Sequence, residues 1–366
     1  MVLAEIAQGL GSRLECTVLT RGYSDCPTEE RLAGMRVIRY PNPAPEQWKD
    51  YATGKHRVSF PAKLCVGIFD VMGSVPLLRK LAREVDLVHL HFPLPLGLGA
   101  VALKKLSRRP LVVTVHGNAD IYELPPAIAP LTTAVLRSAD EIVSVSEDLA
   151  EHLKASFGVS SVTAVPNGVD TNLFQPRPHV PTDELTLVSI SRIVPRKNIN
   201  VLIEAVRTLA ERGEKRLRLL IAGTGPAEAE VARLAASCPG ATYLGFIDED
   251  QKRDLLARAD AFVQLSIREG LSIATLEAMA CGVPCIVSDL PGVREPVIAG
   301  ETGFLVADPE SVPAVVATLE RLLETRGELG RMREASRRSA EEKYSVRAMA
   351  EGYWRVYERV LGRASV

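Results

Sequence analysis

Residues 261–287 read Ala261-Phe262-Val263-Gln264-Leu265-Ser266-Ile267-Arg268-Glu269-Gly270-Leu271-Ser272-Ile273-Ala274-Thr275-Leu276-Glu277-Ala278-Met279-Ala280-Cys281-Gly282-Val283-Pro284-Cys285-Ile286-Val287. A short run, 261–265, is apolar on both faces and gives way to a polar turn, then to a helical run. Beyond Gly282 and Pro284 a second apolar run, 284–287, begins. Strands apolar on both faces belong to parallel sheets covered by helices. The stretch is therefore a strand–helix–strand unit of an α/β sheet.

The same rhythm extends both ways. Upstream, 16–20, 36–40, 87–91, 111–116, 141–145 and 162–165 are candidate strands; 186–190, 218–222, 241–244 and Gly303–Val306 join the two runs above. Amphipathic segments such as 200–212 and 251–257 lie between them. After 165 come Pro166-Asn167-Gly168-Val169-Asp170 and then Pro176, Pro178 and Pro181 in a polar stretch, which is a linker signal. The expected fold is α/β, with two parallel-sheet domains in tandem at 1–175 and 183–344, followed by a helix within 345–366 that packs back on the first domain. Met349, Tyr353, Trp354 and Tyr357 recur at helical spacing in that last segment and read as a core stripe.

Composition narrows the function classes. At 366 residues the chain exceeds one ordinary core, and 46% hydrophobic with 24% charged residues and a net charge of -1 gives no bulk attraction to nucleic acid. The six cysteines form no Cys-x-x-Cys pair, which fits a reducing compartment. Cys281 and Cys285 are separated by Gly282 and Pro284, so they read as buried small apolar residues rather than metal ligands. No apolar run approaches the ~20 residues of a membrane span, and the N-terminus has no signal-peptide pattern. A cytoplasmic protein is expected, with peripheral contact at the inner membrane face through the mixed basic and apolar segment 49–63.

In parallel α/β sheets ligands bind at the carboxyl ends of strands, so the residues just after each strand carry the chemistry. Strand 186–190 ends in Ser191-Arg192-Ile193-Val194-Pro195-Arg196-Lys197-Asn198, where three cations suit either a diphosphate or a solvated basic turn. Glu269-Gly270 precedes a helix whose N-terminal N–H groups suit phosphate. Beside such a site a carboxylate would accept hydrogen bonds from sugar hydroxyls. Glu277 lies among Leu276, Ala278 and Met279, which fits poorly with an exposed helix glutamate. Gly223-Thr224-Gly225-Pro226 is a glycine turn without the third glycine of a dinucleotide fingerprint. His116-Gly117-Asn118 ends strand 111–116, while His89 and His91 alternate along theirs; a histidine within a strand is more often a satisfied structural group than a functional one.

Together these segments resemble family 4 of the glycosyltransferases over nearly the whole chain. The most specific element is Glu269 and Glu277 with seven residues between, running into Ala278-Met279-Ala280-Cys281-Gly282-Val283-Pro284. Arg192 with Lys197, the turn at Gly223, Pro166-Asn167-Gly168-Val169-Asp170 with Phe174, and Gly300-Glu301-Thr302-Gly303-Phe304-Leu305-Val306 support it. The resemblance implies the GT-B fold, with two Rossmann-like domains facing a central cleft. It implies a retaining hexosyltransferase of glycoconjugate biosynthesis, with a nucleotide-sugar donor, UDP- or GDP-linked, and a glycan or lipid-linked acceptor.

The resemblance also assigns residues. Arg192 and Lys197 would hold the donor diphosphate, Glu277 the ribose hydroxyls, Glu269 with the N–H groups of Gly270 and Leu271 the sugar, and His116 would approach that sugar. Further donor contacts are expected at Gly223, Gly225, Ser272 and Thr275. No metal or other cofactor is implied, in keeping with the lack of an Asp-x-Asp motif. Where the family often has Gly-Phe-Gly, this chain has Gly270-Leu271-Ser272. The family opens with a strand and a glycine-rich loop, whereas 1–10 already reads as the helix after them, so either the natural chain is expected to begin further upstream or this form is expected to be destabilised and inactive. Two other readings are a non-catalytic sugar-nucleotide-binding subunit and a nucleotide-sugar epimerase.

Overall fold

The structure is a computed structural model that describes residues 2–49, 59–117, 119–122, 124–178 and 182–362. Residues 50–58, the centre of the basic and apolar segment 49–63, lie outside the described residues, as do Asn118 and Pro181. The chain divides into two compact units, Met1–Val165 with Met349–Val366, and Pro166–Ala348. The division falls at Pro166 rather than at 175, because Val169 bridges Ser345 in parallel and its N–H donates to the carbonyl of Tyr344 at 2.7 Å.

The first unit contains β1 (Thr17–Arg21), β2 (Glu29–Leu32), β3 (Met35–Tyr40), β4 (Val88–His91), β5 (Leu111–Val115), β6 (Glu141–Ser144) and β7 (Thr163–Ala164). They form two sheets, β1-β3-β2 and β4-β5-β6-β7. The parallel sheet expected from the apolar runs holds for the second of these, whereas β2 runs antiparallel to β3. Its sequence, Glu29-Glu30-Arg31-Leu32, has no apolar face to reveal a strand. Charge pairing with its neighbour supports it instead: Arg36 Nε donates to Glu29 at 2.7 Å and Arg39 pairs with Glu30. In β5 every residue is buried.

The helix Val346–Val360 belongs to this first unit from Met349 onward. Met349, Ala350, Tyr353, Val356 and Tyr357 recur every three or four residues and pack with Ile6, Leu10, Val112, Val143 and Val165. Trp354 stands at the margin of that core, its ring 4.6 Å from the Arg13 guanidinium carbon.

The second unit contains β8 (Leu185–Ile190), β9 (Leu217–Ala222), β10 (Ala241–Gly245), β11 (Ala261–Gln264), β12 (Cys285–Ser288) and β13 (Gly303–Val306). All are parallel, in the order β10-β9-β8-β11-β12-β13. This is the doubly wound Rossmann order, and it reverses between β8 and β11. Helix Ile199–Glu211 contributes Leu202, Ile203, Val206 and Leu209 to a core shared with Leu187, Leu219, Ile221, Val263 and Phe304. Each such side chain stabilises by about 1.5–3 kcal/mol on burial, so a break in that spacing would detach the helix.

Candidate functional site

Two loops leave the carboxyl ends of β8 and β11, where the strand order reverses, and the second unit's polar groups converge between them. After β8 the chain passes Ser191 and Arg192 and makes a short turn at Pro195–Lys197 before the next helix. After β11 it passes Ser266 to Ser272 and enters helix Ile273–Ala280.

Lys197 Nζ lies 2.5 Å from Glu269 Oε1, with side chains only 11% and 15% exposed. Arg196 Nη1 stands 3.7 Å from the same carboxylate and donates to the Arg268 carbonyl at 3.2 Å. The Ile267 N–H donates to the Arg196 carbonyl at 3.0 Å, which joins the loops by backbone as well. Arg192 is exposed and has no ion-pair partner among the described residues. Gly270 and Leu271 are buried, yet neither backbone N–H meets an acceptor among the described residues. Two donors so placed suit an oxygen-rich ligand.

Ser272 caps the helix, its hydroxyl accepting from Thr275 N–H at 3.3 Å and donating to Gln264 Oε1 at 2.7 Å. The remaining first-turn N–H groups have no carbonyl within the helix. Thr275 is fully buried, with its hydroxyl 3.5 Å from Gln264 Oε1, so Ser272 and Thr275 hold the helix start. The Thr275 side chain faces the interior. Gln264, a lone polar residue in an apolar run, is the organiser that sequence reasoning passed over.

One turn into that helix Glu277 is 4% exposed and receives a hydrogen bond from Lys252 Nζ at 2.8 Å. Burial works against the Lys252 charge, but Glu277 and then Glu249 outweigh it and raise the ammonium pKa above its ordinary value. Lys252 also lies 5.3 Å from the Phe174 ring centroid. It was not legible as a site residue, since 25 positions separate it from Glu277.

The glycine turn after β9 is a support for the β8 loop. A Cβ at Gly223 would stand 1.9 Å from the Ser191 carbonyl oxygen, and one at Gly225 would stand 2.2 Å from that of Ile193. The backbone approaches because Ile193 N–H donates to Thr224 at 2.9 Å and Ala227 N–H to Ile193 at 3.1 Å. These glycines fix the position of Arg192 and its neighbours whatever else they touch.

Cys281 and Cys285 are buried, and burial, joined by the Glu277 carboxylate, pushes the Cys281 thiol up to about 12. No group of three or more metal-ligating side chains occurs among the described residues.

In the first unit His89, His91 and His116 cluster at the carboxyl ends of β4 and β5. His89 is held at both nitrogens, by Tyr357 Oη at 2.9 Å and Thr114 Oγ1 at 2.7 Å, and is a structural group. His91 Nδ1 lies 3.1 Å from His116 Nε2. Burial, with a smaller effect of His116, pushes His89 down to about 3, and burial pushes His116 down to about 4. His91 is held well below its ordinary value, by burial first and by its histidine neighbours second. All three are neutral at pH 7.

Comparison with known proteins gives these arrangements a family. Residues 1–173 match the model described as Glycosyltransferase Family 4, and residues 170–339 the model described as Glycosyl transferases group 1. Over 272 residues the chain is 33% identical to the MMP alpha-(1->4)-mannosyltransferase of Mycolicibacterium hassiacum, covering 72% of this chain and 62% of that protein. Over 320 residues it is 30% identical to the GDP-mannose-dependent alpha-(1-6)-phosphatidylinositol monomannoside mannosyltransferase of Mycobacterium tuberculosis, covering 80% and 75%. The chain spans about six tenths of the length of the first of these relatives. Among solved structures, sucrose-phosphate synthase from Thermosynechococcus elongatus superposes with a TM-score of 0.81 at 20% identity, covering 98% of this chain and 92% of that one.

Proposed function

The chain belongs to glycosyltransferase family 4, with the GT-B fold, and we propose that it transfers a hexosyl group from a nucleotide sugar to an acceptor hydroxyl with retention of configuration. The observation that carries this reading is the convergence at the switch point of β8 and β11: Lys197 against Glu269, an unpaired Arg192, and two buried N–H donors at Gly270 and Leu271. Arg192 and Lys197 would neutralise the diphosphate as it leaves. Glu269 and the two amides would hold the sugar, and Glu277, braced by Lys252, the ribose hydroxyls. We assign His116 to the sugar on the family resemblance.

In the proposed step the bond between the anomeric carbon and the β-phosphate oxygen breaks, and its electron pair stays on the phosphate. The acceptor oxygen bonds to the same face of that carbon. The acceptor proton passes to the departing phosphate, so no side-chain nucleophile and no metal is invoked.

For the donor we favour a GDP-linked hexose over a UDP-linked one, because the names of the relatives above specify mannosyl transfer, one of them GDP-mannose-dependent. For the acceptor we infer a glycan or a lipid-linked glycoconjugate. We place the protein in the cytoplasm, touching the inner membrane face peripherally. No helix among the described residues is long and apolar enough to cross a membrane, and the segment 49–63 carries basic and apolar residues together.

A thermal-shift panel of GDP, UDP, ADP and their sugars tests the donor class. A rise in Tm with GDP and GDP-mannose above that with UDP and ADP is expected; a panel without any shift would contradict nucleotide binding. Co-sedimentation with anionic vesicles tests the membrane contact, and a chain left wholly in the supernatant would refute it.

A further inference from the structure

His91 Nε2 is buried with no hydrogen-bond partner among the described residues, while its Nδ1 lies 3.1 Å from His116 Nε2. The two rings are 21° from coplanar with centroids 5.3 Å apart, so the N–H of one and the in-plane lone pair of the other meet edge to edge. A neutral imidazole carries one N–H and one lone pair. With its proton on Nε2, His91 would bury a donor that has no acceptor. With the proton on Nδ1, only a lone pair goes unmatched, the milder defect.

His89 offers His91 no other partner, since both its nitrogens are engaged by Tyr357 and Thr114. The proton of His91 therefore sits on Nδ1 and points at His116. His116 must accept at Nε2, which leaves its own proton on Nδ1.

We propose that His91 is a positioning residue that fixes His116 as the neutral tautomer protonated at Nδ1, so that His116 offers its ligand a hydrogen-bond donor and cannot take up a proton at Nε2. This rests on the reading that His116 meets the donor sugar. A donor of fixed orientation suits a sugar hydroxyl oxygen, and it excludes His116 Nε2 as the base for the acceptor proton. Proton removal is then left to the departing phosphate.

The test is a long-range 1H–15N correlation spectrum of the full chain labelled on histidine, with His116 assigned through His116→Gln. The expected wild-type spectrum shows His116 protonated at Nδ1 and bare at Nε2. In His91→Leu the His116 signals should shift toward the Nε2-protonated form, with kcat reduced about 10-fold at a nearly unchanged donor KM. In His91→Asn, whose amide N–H can take the place of Nδ1–H, both should recover. His116 protonated at Nε2 in the wild type, or unchanged in His91→Leu, would overturn the proposal; should His91→Leu fail to fold, the wild-type spectrum decides alone. The spectra need no donor. Unaltered transfer by His116→Ala alongside the expected tautomer would overturn the sugar contact and not the hydrogen bond.

Discussion

Lys197 and Glu269 meet at 2.5 Å across the reversal of strand order, one from the loop after β8 and the other, 72 residues later, from the loop after β11. The pair is mostly buried, so each charge relies on the other. A bound diphosphate would draw Lys197 toward itself and release Glu269 to the sugar hydroxyls. One contact would thus tie occupation of the phosphate position to readiness of the sugar position.

Lys197→Ala should lower kcat by roughly 100-fold or more, as loss of a charge-stabilising donor does elsewhere. It should also lower stability by about 1–3 kcal/mol, since Glu269 loses its short ion pair and keeps only Arg196 at 3.7 Å. The double variant Lys197→Met with Glu269→Gln separates the two effects. Denaturant unfolding should return toward wild type while turnover stays low; recovery of both together would make the pair purely structural.

Arg192 gives the complementary case, being exposed and free of ion pairs among the described residues. Arg192→Ala should leave unfolding within about 0.5 kcal/mol of wild type and still reduce kcat by roughly 100-fold. Steady-state kinetics with wild-type turnover would remove Arg192 from the site.

The two glutamates should separate by calorimetry. Glu277→Ala should weaken binding of the bare nucleoside diphosphate and leave Lys252 paired with Glu249 alone, which lowers its raised pKa. Glu269→Ala should spare that affinity and damage transfer. Equal losses of nucleotide affinity in both variants would show the assignment to be wrong.

Much of this was legible in the sequence because parallel strands buried on both faces are written in short apolar runs: β13 lies where Gly303–Val306 placed it, and every other run from 186 onward fell within a residue or so of its strand. The reversal between β8 and β11 was not legible, since apolar runs do not encode which strands become neighbours. Nor was β2, whose Glu29 and Glu30 pair with arginines of β3 instead of filling a core. Within the site the loop residues could be named from their positions after strands. Lys252 and Gln264 could not, because their roles depend on partners that only the folded chain brings near.

The histidine cluster makes stability depend on pH in a stated direction. His89, His91 and His116 have folded pKa values below the ordinary 6.5, so their contribution is present above that pH and is lost as pH falls toward the folded values near 4 and 3. Near pH 5 His89 and His116 should together bind about two more protons in the unfolded chain than in the folded one, a slope of about 3 kcal/mol per pH unit, and His91 acts in the same direction. Denaturant unfolding between pH 7.5 and 5 should show a plateau and then this steep fall. A flat profile down to pH 5 would mean that the three rings are not buried neutral.

Mass spectrometry of the purified chain incubated with single sugar nucleotides tests the central claim most directly, reading released nucleoside diphosphate with and without glycan or lipid-linked acceptors. The expected result is release of the diphosphate from one donor class, GDP-linked in preference to UDP-linked, faster with acceptor present and lost in Glu269→Ala. Conversion of a donor into an isomeric sugar nucleotide would instead identify an epimerase. Binding without any release, across donors and acceptors, would contradict transfer and leave a sugar-nucleotide-binding subunit.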